Sequence, residues 1–244
     1  MKDILQNIIQ YTAGLGNIDL IKIIGTDKET VIHAAGEDKT VIVTGTLAQP
    51  VSDFIGTFGM PNLGKLKTIL SFDLYDENAI INVTKQNRDG VDTPTVIHFE
   101  TQAGDFVNDY RLMGKAIVEE KVKSVSFKGA TWGVEFEPSI AGIQKLKKQA
   151  QANSEETTFT AKTENGDLKF FFGDPNAHAG NFVFQAGVSG SYTKTQFHWP
   201  VQTVLAILAL PGDKKFKMSE QGASMITVDS GLIEYNYILP AQTK

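Results

Sequence analysis

Hydrophobic residues fall along this chain in two alternating rhythms, one with helical spacing and one with strand-like runs. From Lys2 to Ala13, Ile4, Leu5, Ile8, Ile9 and Thr12 share one face while Asp3, Gln6, Asn7 and Gln10 take the other. That spacing predicts a helix, ended by Gly14 and Gly16. Three runs rich in Ile, Val and Thr follow at Ile18–Ile24, Thr30–Ala35 and Thr40–Thr46. Thr26-Asp27-Lys28-Glu29 and Gly36-Glu37-Asp38-Lys39 separate them as turns. Leu63, Leu66, Ile69 and Leu70 predict a second helix over Pro61–Phe72, with Pro61 in its first turn. Strands are then expected at Ala79–Thr84, Thr95–Thr101 and Phe106–Leu112, and the polar insert Lys85–Pro94 reads as a hairpin loop.

The pattern then starts again. A strand is expected at Trp132–Glu137, and a helix over Pro138–Gln151 with Ile140, Ile143, Leu146 and Ala150 inward. Strands follow at Thr157–Lys162, Leu168–Phe172 and Asn181–Gln185. A helix at Trp199–Leu210 turns Val201, Val204, Leu205 and Leu208 inward, and strands at Phe216–Ser219, Ala223–Asp229 and Leu232–Ile238 finish the chain. Each half thus reads helix, three strands, helix, three strands, with its helices about 60 residues apart. Residue identity between the halves is slight, so the repeat is one of pattern. The charged stretch Lys115–Lys128 reads as a connection, which predicts domains at 1–114 and 131–244 joined by 115–130.

Composition changes this picture mainly by exclusion. The 244 residues hold no cysteine, which removes disulfides, thiolate metal sites and thiol nucleophiles. At 41% hydrophobic and 21% charged the chain is ordinary globular protein. The N-terminal residues do not read as a signal peptide, and no stretch reaches the roughly 18 apolar residues of a membrane span. A cytoplasmic protein with no membrane association is expected. The four histidines, His33, His98, His178 and His198, show no metal-ligand spacing. Asp73/Asp76 and Glu155/Glu156 fall at helix ends or in polar loops. Gly56-Thr57-Phe58-Gly59 lacks the βαβ setting of a nucleotide loop. No catalytic residue, cofactor or metal is predicted, which favours binding or structure over catalysis.

The lysines carry more information. On the second helix Lys65 and Lys67 lie off the apolar stripe; on the third, Lys145 and Lys148 do, with Lys147 nearer its border. Neither helix has an acidic residue, although the net charge is −5. Two readings stand: the lysines solubilise the helices, or they keep that surface for a polyanion. The first helix adds only Lys2, beside Asp3, and the fourth has no charge, so any DNA contact is expected to be to phosphates and independent of sequence.

The repeated arrangement of helices and strands around an exposed connection resembles the DNA polymerase sliding clamps. The closing Tyr235-Asn236-Tyr237-Ile238-Leu239-Pro240 is similar to the end of that family's members. Val107-Asn108-Asp109-Tyr110-Arg111-Leu112-Met113 resembles the last strand of the first domain in the proliferating cell nuclear antigen group. A start directly on the first helix looks like the clamps of tailed bacteriophages. The resemblance implies an α+β DNA clamp fold: two similar domains, each with two helices packed on antiparallel sheets, in subunits that form a ring.

It implies further that three subunits close around double-stranded DNA, with Lys2, Lys65, Lys67, Lys145, Lys147 and Lys148 facing it. The strand with Tyr110 and Leu112 would pair with the neighbour's strand bearing Phe182 and Phe184. A replicative polymerase and a clamp loader would dock at Val122, Tyr237, Ile238 and Pro240, although Tyr237 reads equally well as an ordinary strand aromatic. A β-rich structural protein of a virion or tail is the alternative, without basic helix faces and without closure on DNA.

Overall fold

The computed structural model describes residues 1–36, 40–88, 90–122 and 129–243. Residues 37–39 of the predicted turn, Asp89 of the hairpin loop and residues 123–128 of the connection lie outside the described residues. The chain divides into two units: Met1–Val125 with Ser230–Tyr235, and Ser126–Asp229 with Asn236–Lys244.

In the first unit the amphipathic opening forms α1 (Lys2–Tyr11), which buries Leu5, Ile8, Ile9 and Tyr11. The β-branched runs become β1 (Leu20–Gly25), β2 (Thr30–Ala35) and β3 (Ile42–Leu47). The strand β4 (Gly56–Pro61) and helix α2 (Leu63–Leu70) come next. They are followed by β5 (Ile80–Arg88), β6 (Val91–Glu100), β7 (Val107–Arg111), the two-residue β8 (Met113–Gly114) and α3 (Lys115–Lys121). One sheet runs β8-β4-β1-β2-β3, and a second runs β5-β6-β7. Residues 233–235 lie beside β3, where a β-carbon on Gly45 would touch Tyr235 and Ile233. Tyr235 stacks on Tyr11 at 4.9 Å, and its hydroxyl donates to Asn7 Oδ1 at 3.0 Å, which ties α1 to this sheet.

Three readings of the first half are corrected, and one strand is added. Gly56–Gly59, to which the sequence pattern assigns no element, belongs to a strand paired with β1. Pro61 closes that strand instead of opening the helix. Asn62 turns the backbone at φ 53°, and α2 starts at Leu63. The polar insert Lys85–Pro94 is mostly ladder, which no hydrophobic alternation marks, since only Thr93 and Pro94 among its described residues are buried; Asn87 donates to Asp92 across it at 2.9 Å. The predicted connection begins as the helix α3, held by one buried residue, Val118, against Gly59.

The second unit opens with β9 (Val134–Phe136) and α4 (Ile140–Ala152). The strands β10 (Thr158–Glu164), β11 (Asp167–Gly173) and β12 (Ala179–Gln185) follow, then β13 (Trp199–Pro200) and α5 (Val201–Ala209). β14 (Asp213–Ser219), β15 (Ala223–Asp229) and β16 (Ile233–Pro240) complete the chain. One sheet is ordered β12-β11-β10-β13, and β15-β14-β9 extends from the Asn236–Pro240 part of β16. Phenylalanines fill the core. Phe170 stacks between Phe159 at 4.4 Å and Phe184 at 4.3 Å, and Phe216 meets Phe184 edge-on. Each such pair contributes about 0.5–1.5 kcal/mol beyond the area it buries.

The inward face of α4 is also corrected. Gly142, Leu146 and Ala150 are buried, whereas Ile140 is 79% exposed. A β-carbon on Gly142 would overlap the Phe184 carbonyl oxygen, so the glycine brings α4 onto β12 and sets the rotation that leaves Ile140 outside.

Candidate functional site

In each unit two helices pack on one another, α1 with α2 and α4 with α5. α2 forms on the stripe Leu63, Leu66, Ile69 and Leu70, which leaves Gly64, Lys65, Lys67 and Thr68 exposed. α4 is capped by Ser139, whose Oγ accepts from the Gly142 amide at 3.1 Å. Lys145, Lys147 and Lys148 then stand exposed on its outer side. Among the described residues none of these five lysines enters an ion pair, while Lys162 and Lys169 both pair with Glu164. Those two pairs hold the Glu164 carboxyl below its usual range. Uncompensated cations spaced along a helix suit a phosphate backbone, which needs charge and reach but no base-specific geometry.

Lys2 is placed differently. It is half-buried, and its ammonium donates to the Tyr75 carbonyl. The exposed side of α1 carries Asp3, Gln6 and Gln10 instead. On α5 only Gln202 and Ala209 are exposed, and neither is charged.

Of the predicted subunit contacts, Tyr110 lies on β7 of the first unit with Leu112 just after it, and Phe182 and Phe184 lie on β12 of the second; both strands end their sheets. An end strand leaves one line of amide and carbonyl groups free to pair with another chain. The named side chains face elsewhere. Tyr110 is buried and donates its hydroxyl to the Pro61 carbonyl, Phe184 is buried in the aromatic core, and Leu112 and Phe182 are half-buried. Burial, with the Asp19 charge adding to it, pushes the Tyr110 phenol well up. Val107, Asp109 and Arg111 are the exposed residues of β7. The alternation of that strand could have found them, since Asn108 and Tyr110 take the inward positions.

The candidate docking residues divide similarly. Val122 is nearly buried, with its carbonyl accepting from Lys22 Nζ at 3.0 Å. Tyr237 and Ile238 are buried in β16, and Pro240 is exposed. On the outer face of the β5-β6-β7 sheet, His98 sits between Asp109, 2.8 Å from Nδ1, and Glu100, 3.2 Å from Nε2. Among the described residues no group of three or more histidines and carboxylates is arranged to hold a metal ion.

No protein-family model and no curated protein matches the sequence. Solved structures do match its fold. Over the whole chain and 97% of the other, it is similar to the A. fulgidus PCNA bound to the C-terminal region of FEN-1, with a TM-score of 0.69 at 10% identity. The PCNA from Thermococcus kodakaraensis matches 99% of this chain and 95% of its own at a TM-score of 0.64 and 11% identity. The chain therefore has the α+β clamp fold of the PCNA structures, end to end.

Proposed function

We propose that this protein is a sliding clamp: a processivity factor without chemistry of its own, which encircles duplex DNA and tethers a replicative DNA polymerase. The observation that carries the reading is an end-to-end clamp fold whose α2 and α4 present five exposed lysines and no carboxylate. In this reading three copies form the ring, the segments 1–114 and 131–244 act as clamp domains, and 115–130 connects them. The edge of β7 pairs with the neighbour's β12, so that sheets continue across each joint and lose their open edges. The joint is then made by backbone groups and by Val107, with Tyr110, Leu112, Phe182 and Phe184 supporting it from within. Lys65, Lys67, Lys145, Lys147 and Lys148 face the phosphates, and Lys2 contributes less because its ammonium is engaged.

The PCNA of A. fulgidus binds the C-terminal region of another protein, and we extend that mode to this chain. The polymerase and the clamp loader dock near Pro240 of the second unit, where Tyr237 and Ile238 are buried in the same strand. Sedimentation should show a closed oligomer of three chains. Polymerase stimulation should require a loader and primed DNA, and the loaded protein should stay on circular DNA but escape from linear DNA. A monomer at working concentration that leaves the polymerase unaffected would overturn the reading.

A further inference from the structure

The two helices of the second unit do not close over the space between them. A groove of about 550 Å³ runs along α4 and α5, lined by Ile143, Leu205 and Leu208, with Ile140 standing open at the first turn of α4. Ile140 is 79% exposed, more than any other large hydrophobic side chain among the described residues. Phosphate contact gives no reason for such a surface, since a duplex backbone offers charge and water but few apolar groups. An open aliphatic groove beside a polar rim is the mark of a site that buries apolar side chains from a partner.

The rim says which partner. Lys147 and Lys214 line the groove, Lys145 and Lys148 extend the positive surface along α4, and neither α4 nor α5 has an acidic residue. Lys214 is half-buried, and its ammonium donates to the Gly212 carbonyl at 2.9 Å. Burial lowers its pKa, with the Asp213 charge opposing, so an incoming carboxylate would supply the solvation that it lacks.

The geometry points to this groove as a docking site for an acidic peptide segment of a partner protein, seated by one or two large apolar side chains with carboxylates beside them. The site lies wholly within the second unit and does not depend on the ring. It overlaps the lysines assigned to DNA, so peptide and duplex should compete for α4.

The test uses the full chain and fluorescein-labelled peptides read by anisotropy. One peptide carries a central Phe-Leu pair flanked by Asp and Glu, a second replaces that pair by Ser-Ser, and a third replaces the acids by Gln. The first should bind at least about tenfold more tightly than the Ser-Ser control, which loses the buried apolar pair, and more tightly than the Gln control, which loses the charge facing the lysines. Ile140→Ser, at an exposed position, should remove most of that advantage with the circular dichroism spectrum unchanged. Lys147→Glu should weaken the first peptide and leave the uncharged one as it was. Equal binding of the Ser-Ser peptide would reduce the site to a general polyanion surface, and equal binding of the Gln peptide would remove the charge preference. Either result, or no binding at all, overturns the proposal, and none of them bears on whether the protein forms a ring.

Discussion

His98 and His33 lie on neighbouring sheets of the first unit and should respond to pH with opposite sign. Hydrogen bonds to Asp109 and Glu100 hold the His98 imidazolium, raising its pKa above 6.5; Asn82 and the exposed Arg111 share the outer face around it. A raised folded value means that the stabilisation is fully present below 6.5 and is lost as the pH rises through the folded value. Burial, helped by the nearby Lys22 charge, lowers the pKa of His33, so its contribution is present above 6.5 and is lost as the pH falls through the folded value. Urea midpoints across this range should show His98→Gln costing most on the acid side, and His33→Gln flattening the acid decline. A His98→Gln penalty that does not shrink at alkaline pH would remove the two-carboxylate clasp. Gly142 sets the other prediction at this scale. Gly142→Ala forces a methyl into the Phe184 carbonyl, and overpacking of this kind typically costs about 1–3 kcal/mol, read as a lower urea midpoint.

Among the elements, α2 and α4 were legible in the spacing of Leu63, Leu66 and Ile69 and of Leu146 and Ala150, because an amphipathic helix announces its period. Their lysines were legible too, since a residue off the apolar stripe is exposed wherever the helix packs. Reversing Lys65, Lys67, Lys145 and Lys148 to Glu should weaken duplex binding by at least about tenfold at low salt and flatten its salt dependence, as fewer counterions are displaced. Loading onto primed DNA should fall with it, while thermal melting stays near that of the unaltered protein; unchanged loading would take the DNA role from these helices. The strand β4 and helix α3 were not legible. The first contains Gly56 and Gly59, which contribute no apolar side chain to a pattern, and the second buries only Val118 from its seven residues.

For the molecule as a whole, the proposed ring rests on sheet edges. An edge strand is held in a joint by its free backbone groups, and side chains decide mostly whether a neighbour can approach. Val107, 48% exposed at the start of β7, is well placed to test this. Val107→Lys should leave each chain folded but set a long charged side chain at every joint, shifting the sedimentation profile from the oligomer toward single chains. An oligomer that persists unchanged would place the joint elsewhere. Phe184→Ala would be a poor test, because that ring belongs to the core of the second unit and its loss should lower stability by about 3–5 kcal/mol.

The sequence by itself determined the two-part repeat, the identity of the principal helices and strands, and the separation of lysines from carboxylates on α2 and α4. These are properties of local period and of charge along the chain, and they hold whatever the elements pack against. The tertiary structure decided the rest: the strands that end their sheets, the burial of Tyr110, Phe184 and Tyr237, and the outward turn of Ile140. Each depends on what lies across a contact. A tyrosine in a strand pattern faces core or solvent according to the sheet's partners, and α4 takes its rotation from one glycine against one carbonyl of β12.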